Sequence, residues 1–315
     1  MAAFYIGMDL GGTTFKALAV TPEGTILDRV QAPTEASQGP EAVVQRMVEA
    51  IRGLAARVTT AERRLRAVGF GVPGILELPQ GIVRRSPNLP GWHDVELAAL
   101  LRRALDVPFT LDNDANAATL GELWRGAARG KRDFFMLTLG TGVGGGVVVA
   151  GTILHGANGY AGELGHTVVD PHGPPCGCGS RGCLEQYASG TAIARMAEPF
   201  YGKTTAREVA LAARRGEIPA QQLYRQVGYY LGIACASLAN VFNPECLVLG
   251  GAVAQAFDLF AGSLRQTLRA RSFGPIVDRL ELVVAQCGTD AGGLGAAYQA
   301  MQAYPPAASS PRSQP

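Results

Sequence analysis

Two segments of the chain share one order: an apolar run, a glycine cluster and a second apolar run. The first covers residues 4–20, where FYIGMDL meets Gly11 and Gly12. The second covers residues 133–154, DFFMLTLGTGVGGGVVVAGTIL. Short apolar runs bounded by glycines are typical of buried strands joined by tight turns. Their presence in both halves predicts an internal structural duplication, although the sequence identity between the two segments is weak.

The rest of the chain alternates between strand and helix patterns. Turn residues at 22–24 separate early strands and predict an antiparallel meander. Further short apolar runs predict strands at residues 67–74, 107–114 and 245–251. We expect helices at residues 41–58, 115–127, 219–240 and 290–303. This alternation predicts an α/β fold.

A length of 315 residues favours two domains. We expect a smaller α/β domain at residues 1–116 and a larger one at 117–289. A helix at residues 290–304 is expected to pack back on the smaller domain. Residues 305–315, PPAASSPRSQP, predict a disordered tail.

The composition argues against several classes of protein. Apolar residues make up 47% of the chain and the net charge is only +2, so neither disorder nor binding to nucleic acid or membrane surfaces is expected. The longest apolar runs are too short for a membrane-spanning helix. The first residues lack the basic region and cleavage site of a signal peptide. We therefore expect a cytoplasmic protein, whose thiols stay reduced.

The glycine loops match two nucleotide-binding motifs only in part. Residues 140–145 fit G-x-G-x-x-G, but a strand follows them where a dinucleotide-binding loop needs a helix. Gly202-Lys203-Thr204 lacks the earlier glycine of a Walker A loop, because Ala197 stands there.

What remains is a glycine turn between two strands, once in each half. Such a turn is either an ordinary hairpin or a cradle of backbone N–H groups for phosphate. Thr13 and Thr141 add hydroxyl groups, and the presence of two similar loops favours nucleotide phosphates. Asp9 either caps its turn or holds Mg²⁺ through water.

An acidic stretch, LDNDANAA at residues 111–118, lies where a strand runs into a helix. One of Asp112, Asn113 and Asp114 is expected to cap the helix, which leaves the others available to face a cleft. A carboxylate at such a place can act as the general base of phosphoryl transfer. The spacing alone does not separate capping from catalysis.

These segments resemble the ROK family (repressors, open reading frames and kinases) of sugar kinases, and most closely its bacterial glucokinases. The resemblance is carried, in family order, by DLGGTTFKALAV, GFGVPG, SPNLPGW, LDNDANAA, LTLGTGVGGG, GYAGELGH, CGCGSRGCLEQYASG, NPECLVLGG and AGGLGAA. It implies an actin-like ATPase fold of the ribonuclease H-like type, with duplicated domains and a cleft between them. It also implies that the chain transfers phosphate from ATP to the 6-hydroxyl of glucose, and that it forms a homodimer or homotetramer.

The resemblance further implies roles for individual residues. Asp114 would be the base that deprotonates the sugar hydroxyl. Sugar contacts are implied for Gly74, Asn88, Asn113, Asp114, Glu163, His166 and Glu185. Contacts to the ATP phosphates and Mg²⁺ are implied for Asp9, Gly11, Gly12, Thr13, Lys16, Gly140, Thr141 and Gly142. The adenosine would lie near Gly250 and Gly251.

One loop concentrates thiols: residues 166–183 read HTVVDPHGPPCGCGSRGC. The spacing H-x9-C-x-C-x4-C supplies one nitrogen and three sulfurs, a set that suits a closed, tetrahedral, structural Zn²⁺ site. The ligands would be His166, Cys176, Cys178 and Cys183, a pattern that the ROK kinases share. Because this loop lies between Glu163 and Glu185, the metal is expected to set the distance between those carboxylates.

Several alternatives stay open at this point. The sugar could instead be N-acetylmannosamine, N-acetylglucosamine, fructose or allose, and the donor ADP or polyphosphate. A sugar-sensing repressor would need a DNA-binding segment ahead of the core, yet the first strand begins within about five residues of Met1. A non-catalytic zinc-bearing interaction domain is disfavoured by Asp114 and by the two glycine loops.

Overall fold

The computed structural model describes residues 2–306, so residues 307–315 of the expected tail lie outside the described residues. The chain divides into two compact units. The first comprises the residues up to Arg125 and the described residues from Asp290 onward, and the second comprises Gly126–Thr289.

The first unit contains most of the elements expected in the amino-terminal half. Its elements are β1 (Ala2–Leu10), β2 (Thr14–Val20), β3 (Ile26–Pro33), α1 (Pro40–Val58), β4 (Arg63–Val72), β5 (Ile75–Glu77), β6 (Ile82–Arg85), β7 (His93–Val95), α2 (Leu97–Ala104), β8 (Phe109–Asn113) and α3 (Asp114–Arg125). A short 3₁₀ turn also lies at Ala36–Gln38.

The second unit has a longer helical part. Its elements are β9 (Phe134–Leu139), β10 (Val143–Val149), β11 (Thr152–Ile153), α4 (Glu185–Ala188), α5 (Gly190–Tyr201), α6 (Ala206–Arg214), α7 (Ile218–Phe242), β12 (Cys246–Gly250), α8 (Phe257–Arg271), α9 (Gly274–Val277) and β13 (Glu281–Val284). Its 3₁₀ turns lie at Leu164–His166 and Val253–Ala256. A third, Gly288–Asp290, leads into α10 (Ala291–Ala303), which belongs to the first unit.

The two large sheets of the described residues share one strand order. The first runs β3-β2-β1-β4-β8 and the second β11-β10-β9-β12-β13. In both, the first three strands form an antiparallel meander, and the last two join in parallel. The duplicated α/β fold predicted from the sequence is therefore confirmed. A small sheet, β5-β6-β7, is additional.

Each unit buries its own hydrophobic core. The core of the first forms around β1 and α1, which contribute Phe4, Ile6, Met8, Met47 and Ile51, all nearly inaccessible to solvent. Helix α1 starts at Pro40, whose fixed φ suits the first helical turn. The core of the second unit is built around α7. These two cores hold the turns at the strand ends in place.

The division between the units differs from the expected boundary at 116/117, which would cut through α3. The observed division follows Arg125, because α3 packs along its length against α10. No helix among the described residues is long and apolar enough to cross a membrane.

Candidate functional site

The first glycine loop is a tight turn closed by backbone and hydroxyl hydrogen bonds. The N–H of Gly11 donates to the carbonyl of Thr14 at 3.0 Å. Thr34, which is buried, donates its hydroxyl to the Gly11 carbonyl at 2.7 Å and its N–H to the Thr13 carbonyl at 2.8 Å. The side chain of Thr13 remains exposed. The turn is thus held from one side, which leaves its threonine available for a ligand.

Asn88 lies beside this turn. A Cβ atom added to Gly12 would lie 2.4 Å from the Asn88 carbonyl oxygen, so only glycine allows the two segments to approach this closely. Asn88 itself is exposed. The structure therefore brings one expected sugar residue next to one expected phosphate residue.

Asp9 and Lys16 face each other across β1 and β2. Burial raises the pKa of Asp9 to about 7, and the Asp114 carboxylate adds to the rise while Lys16 opposes it. Lys16 Nζ lies 3.1 Å from Asp290 Oδ1, and Arg29 lies 3.2 Å from the other oxygen of Asp290. A bound cation would offset the crowded negative charge at Asp9.

Asn113 is the residue that caps α3. Its side-chain oxygen accepts the N–H groups of Ala115 at 2.8 Å and Asn116 at 3.3 Å. Its amide nitrogen donates to the carbonyl of Gly74 at 3.1 Å. The capping role that the sequence left open therefore belongs to Asn113, and the same side chain connects to Gly74.

Asp112 is completely buried and surrounded by donors. Its Oδ1 accepts the Asn113 N–H at 2.8 Å and the Asn116 amide at 3.0 Å. Its Oδ2 accepts the Gln299 amide at 2.7 Å. Both oxygens of this carboxylate accept internal hydrogen bonds, so Asp112 is unsuited to bind substrate.

Asp114 differs from both of its neighbours. It is the first residue of α3 and is half-buried, and one of its oxygens accepts the N–H of Ala115 at 2.9 Å. A carboxylate at a helix start is stabilised by the helix dipole. Of the three residues in the acidic stretch, Asp114 is therefore neither the cap of α3 nor fully buried.

The second glycine loop is held mainly by the start of α5. The N–H of Gly140 donates to Gly142 at 3.0 Å, and the N–H of Gly190 donates to the carbonyl of Gly140 at 2.7 Å. Thr191 donates its hydroxyl to the carbonyl of Thr141 at 2.8 Å. The side chain of Thr141 is exposed, as is that of its counterpart in the first loop.

Glu185 joins this loop to the cysteine-rich segment. Its Oε2 accepts the N–H of Val143 at 3.0 Å, and a Cβ atom on Gly142 would lie only 2.4 Å from the same oxygen. Its other oxygen lies 3.9 Å from Cys176 Sγ. One carboxylate thus contacts both the expected phosphate loop and the expected metal site.

Four side chains of the cysteine-rich segment converge on one point. The ligand atoms of His166, Cys176, Cys178 and Cys183 all lie within 4.8 Å of one another. His166 Nδ1 is 3.6 Å from Cys176 Sγ, and Cys178 Sγ is 3.6 Å from Cys183 Sγ. Tetrahedral zinc with its usual bond lengths places such pairs about 3.6–3.8 Å apart. The donor set and its spacing therefore fit zinc.

The pKa values of two clustered thiols shift in opposite directions: burial raises that of Cys178, but hydrogen bonds from Ser180 and the neighbouring thiols outweigh burial and lower it, whereas that of Cys183 is raised. Burial raises the pKa of Cys183 to about 12, and the neighbouring thiols Cys178 and Cys176 add to the rise. A bound metal ion would stabilise the thiolate form. All six cysteines are free thiols, and Cys235 and Cys246 are buried in the core of the second unit, away from the cluster.

The second nitrogen of His166 faces the expected sugar residues. Nε2 lies 3.9 Å from Glu163 Oε2, while Nδ1 faces the thiols. Burial raises the pKa of Glu163, His166 opposes the rise, and Glu185 adds to it. One imidazole thus contacts the metal cluster with one nitrogen and leaves the other near a carboxylate.

Gly250 and Gly251 end β12. Gly250 is buried, and Gly251 adopts a φ of +86°, where an added Cβ atom would lie 2.4 Å from the carbonyl oxygen of Leu139. Backbone geometry alone requires glycine at Gly251. The expected contact to adenosine therefore stays a prediction for this pair.

Sequence reasoning missed two supporting interactions. Tyr187 donates its hydroxyl to Asp170 at 2.9 Å and stacks on Tyr230 at 3.7 Å between ring centroids, which ties the cysteine-rich segment to α4 and α7. Gln299 on α10 reaches Asp112 from a part of the chain with no motif. The long sequence separations of these pairs leave no local signal.

The chain is similar to proteins of one family over most of its length. The profile of the ROK family matches residues 5–303, and this chain belongs to that family. It is 38% identical to a glucokinase of Halalkalibacterium halodurans, over 95% of each chain. It is 41% identical to a glucokinase of Thermotoga maritima, over 93% of this chain and 95% of the relative.

A solved structure shares the fold as well. The ROK family glucokinase of Streptomyces griseus, solved in complex with glucose and AMPPNP, is 32% identical and has a TM-score of 0.80. The alignment covers 95% of this chain and 99% of that one.

Proposed function

We propose that this chain transfers the terminal phosphoryl group of ATP to the 6-hydroxyl of glucose. The observation that carries the proposal is the assignment within the acidic stretch: Asn113 caps α3, Asp112 is buried, and Asp114 is left at the helix start. The names of the relatives and the glucose–AMPPNP complex support the same reaction.

In the proposed reaction, Asp114 accepts the proton of the sugar hydroxyl as that oxygen attacks phosphorus. General-base assistance of this kind contributes about 10²–10⁴-fold to a rate. The remaining hydroxyls of glucose pair with amide and carboxylate groups, for which we propose Asn88, Asn113, Glu163 and Glu185, with Nε2 of His166. Unpaired polar groups in such a site discriminate against sugars that lack a hydroxyl.

The two glycine loops are proposed to hold the phosphates through backbone N–H groups and the hydroxyls of Thr13 and Thr141. Lys16 would supply positive charge beside them. Asp9 is proposed to hold Mg²⁺ through water, and its raised pKa agrees with a place for a cation. When bound, Mg²⁺ neutralises charge on the phosphates.

For the four-ligand cluster we propose Zn²⁺. Three thiolates and one imidazole complete its tetrahedral shell, which is the composition of structural sites. The side chains of His166, Cys176, Cys178 and Cys183 would hold the ion. The segment they form leads directly to Glu185, so its order determines where that carboxylate lies.

The experiment that tests the proposal is an assay of ADP release over a panel of sugars and donors. Glucose with ATP is expected to give the highest kcat/KM among glucose, fructose, allose, N-acetylmannosamine and N-acetylglucosamine. Polyphosphate and ADP are expected to be poor donors. Preference for an N-acylhexosamine would replace the proposed sugar, and turnover of none of them would overturn the activity.

Two further expectations accompany the activity. We propose that the chain works in the cytoplasm, where a thiolate site stays reduced. A homodimer or homotetramer follows from the family resemblance, and light scattering of the purified protein measures it.

A further inference from the structure

The C-terminal helix carries a side chain that reaches the start of α3. The amide of Gln299 donates to Asp112 at 2.7 Å, although 187 residues separate the two in sequence. Asp112 is 0% exposed. A buried carboxylate is tolerated only where donors surround it, because burial otherwise removes its hydration. Gln299 supplies one of those donors.

Two side-chain amides donate to this carboxylate, and their own carbonyl oxygens are left without hydrogen-bond partners among the described residues. Asn116 and Gln299 both point their NH₂ groups at Asp112. Their own carbonyl oxygens are buried and find no hydrogen-bond partner among the described residues. A buried acceptor that is left unpaired loses its hydrogen bonds to water without replacement, which is unfavourable. Both amides are therefore oriented to hold Asp112 in one position.

Helix α10, which carries Gln299, packs closely against strands β1 and β4. A Cβ atom on Gly7 of β1 would lie 1.8 Å from the Gly293 carbonyl oxygen, and one on Gly69 of β4 would lie 1.8 Å from the Ala296 carbonyl oxygen. Backbone thus packs directly on backbone along two strands. Interiors packed this closely have low compressibility. The backbone that carries Gln299 is therefore held rigidly against β1 and β4.

The contacts continue from Asp112 to the expected base. Asp112 accepts the N–H of Asn113, Asn113 caps α3, and Asp114 is the next residue. We propose that Gln299 and Asp112 are positioning residues that set where the carboxylate of Asp114 lies, an inference that rests on the proposed function. Misplacement of a reacting group by about 1 Å can lower a rate by roughly 10²-fold.

An exchange of the two side chains tests this pair. In Asp112→Asn the remaining oxygen can still accept from Asn113 and Asn116, but the new NH₂ group faces the NH₂ group of Gln299. In Gln299→Glu a carboxylate faces the carboxylate of Asp112. The double variant restores one donor opposite one acceptor with their positions exchanged. Its partner contacts are otherwise those of the native pair.

We expect each single variant to lower kcat about tenfold or more while the glucose KM stays within about threefold, since the proposed glucose contacts other than Asn113 and Asp114 lie outside this set of hydrogen bonds. The double variant is expected to recover most of the lost kcat. Gln302→Glu, at an exposed position of the same helix, is the matched control and should leave kcat unchanged.

The same measurements include the thermal midpoint, with kcat expressed per folded enzyme. A purely structural pair would move the midpoint and leave kcat at the control value, and that result overturns the inference. So does a double variant that recovers the midpoint but not kcat. If the wild-type protein turns over no hexose, the proposed function itself fails, and the inference fails with it.

Discussion

The two units share one strand order but carry different sets of candidate functional side chains. In the first, the end of β8 leads directly into α3, and the chemistry comes from short carboxylates at that junction. In the second, the chain between β11 and α4 carries a cysteine-rich segment, and the chemistry comes from ligands gathered around one point. The comparison teaches that the duplicated sheet supplies the positions, while the segments between the elements supply the function.

The glycine loops show the same contrast at closer range. Thr34 closes the first loop with a neutral hydroxyl. Glu185 binds the second loop with a charged carboxylate that also contacts Cys176. The second loop is therefore connected to the expected metal site through Glu185. The first loop is held by Thr34, which follows β3.

The largest effect is expected from Asp114→Asn. The amide keeps the shape of the side chain but cannot accept the proton, so kcat should fall about 10²–10⁴-fold. Steady-state turnover with glucose and ATP measures this, with the exposed Asp106→Asn of the same unit as control. Turnover within about tenfold of the wild type would remove Asp114 from the role of base.

Loss of one thiol in the second unit is expected to act on sugar binding. In Cys178→Ala the cluster loses a ligand, so bound zinc should disappear and the glucose KM should rise about tenfold or more, whereas the ATP KM changes less. Elemental analysis and kinetics measure both quantities. Cys287→Ala, a thiol outside the cluster, is the control. Equal changes in the two KM values would refute a specific link to the sugar.

Glu185→Ala tests the connection between that segment and the second glycine loop. The variant removes a charged acceptor from the Val143 N–H, so the Kd for AMPPNP measured without sugar should rise up to roughly tenfold. Glu163→Ala, which removes a carboxylate that lies 3.9 Å from His166 Nε2, should leave this Kd unchanged. An unaffected Kd in Glu185→Ala would mean that the carboxylate serves the sugar alone.

The titration of Asp9 is expected to act on stability and not on turnover or ligand binding. Its pKa of about 7 in the folded protein exceeds the usual value of 3.8, so between these values the folded state keeps a proton that the unfolded state has released. Stability should then fall as pH rises through this window, by at most about 1.4 kcal/mol per pH unit. Urea unfolding without Mg²⁺ measures the slope.

Asp9→Asn removes that titration and is the comparison for the slope. The difference in the free energy of unfolding between the two proteins should change between pH 5 and pH 7. Parallel curves would contradict the raised pKa. The second glycine loop carries no equivalent carboxylate, because Thr138 stands two residues before Gly140, where the first loop has Asp9 two residues before Gly11.

Much of the scaffold follows from the sequence, because long apolar runs and glycine turns are local signals. The strand pairs around Gly11 and Gly140 and the helix at α7 belong to this group. The small sheet β5-β6-β7 has strands of only a few residues, which form no periodic pattern. The first unit ends at Arg125 and not at residue 116, because α3 packs against α10, which lies far along the chain.

The candidate site likewise has some features with a local sequence signal and others that depend on tertiary contacts. The convergence of four donors could be predicted, since four donors in one short segment have few other uses. The strand end that carries Asp114 and its two neighbours could be predicted from the apolar run before it. Which neighbour caps the helix depends on Gly74 and Gln299, whose approach is tertiary. The contact between Glu185 and Val143 is likewise invisible in the sequence, because the two residues are 42 positions apart.

The division of labour between the two units is tested most directly by the glucose Kd of the Asp114→Asn protein, measured by calorimetry before and after the metal is removed with a chelator. We predict a Kd within about threefold of the wild type before removal and at least about tenfold weaker binding afterwards. Unchanged binding after chelation, or binding already lost with the metal in place, would contradict the account.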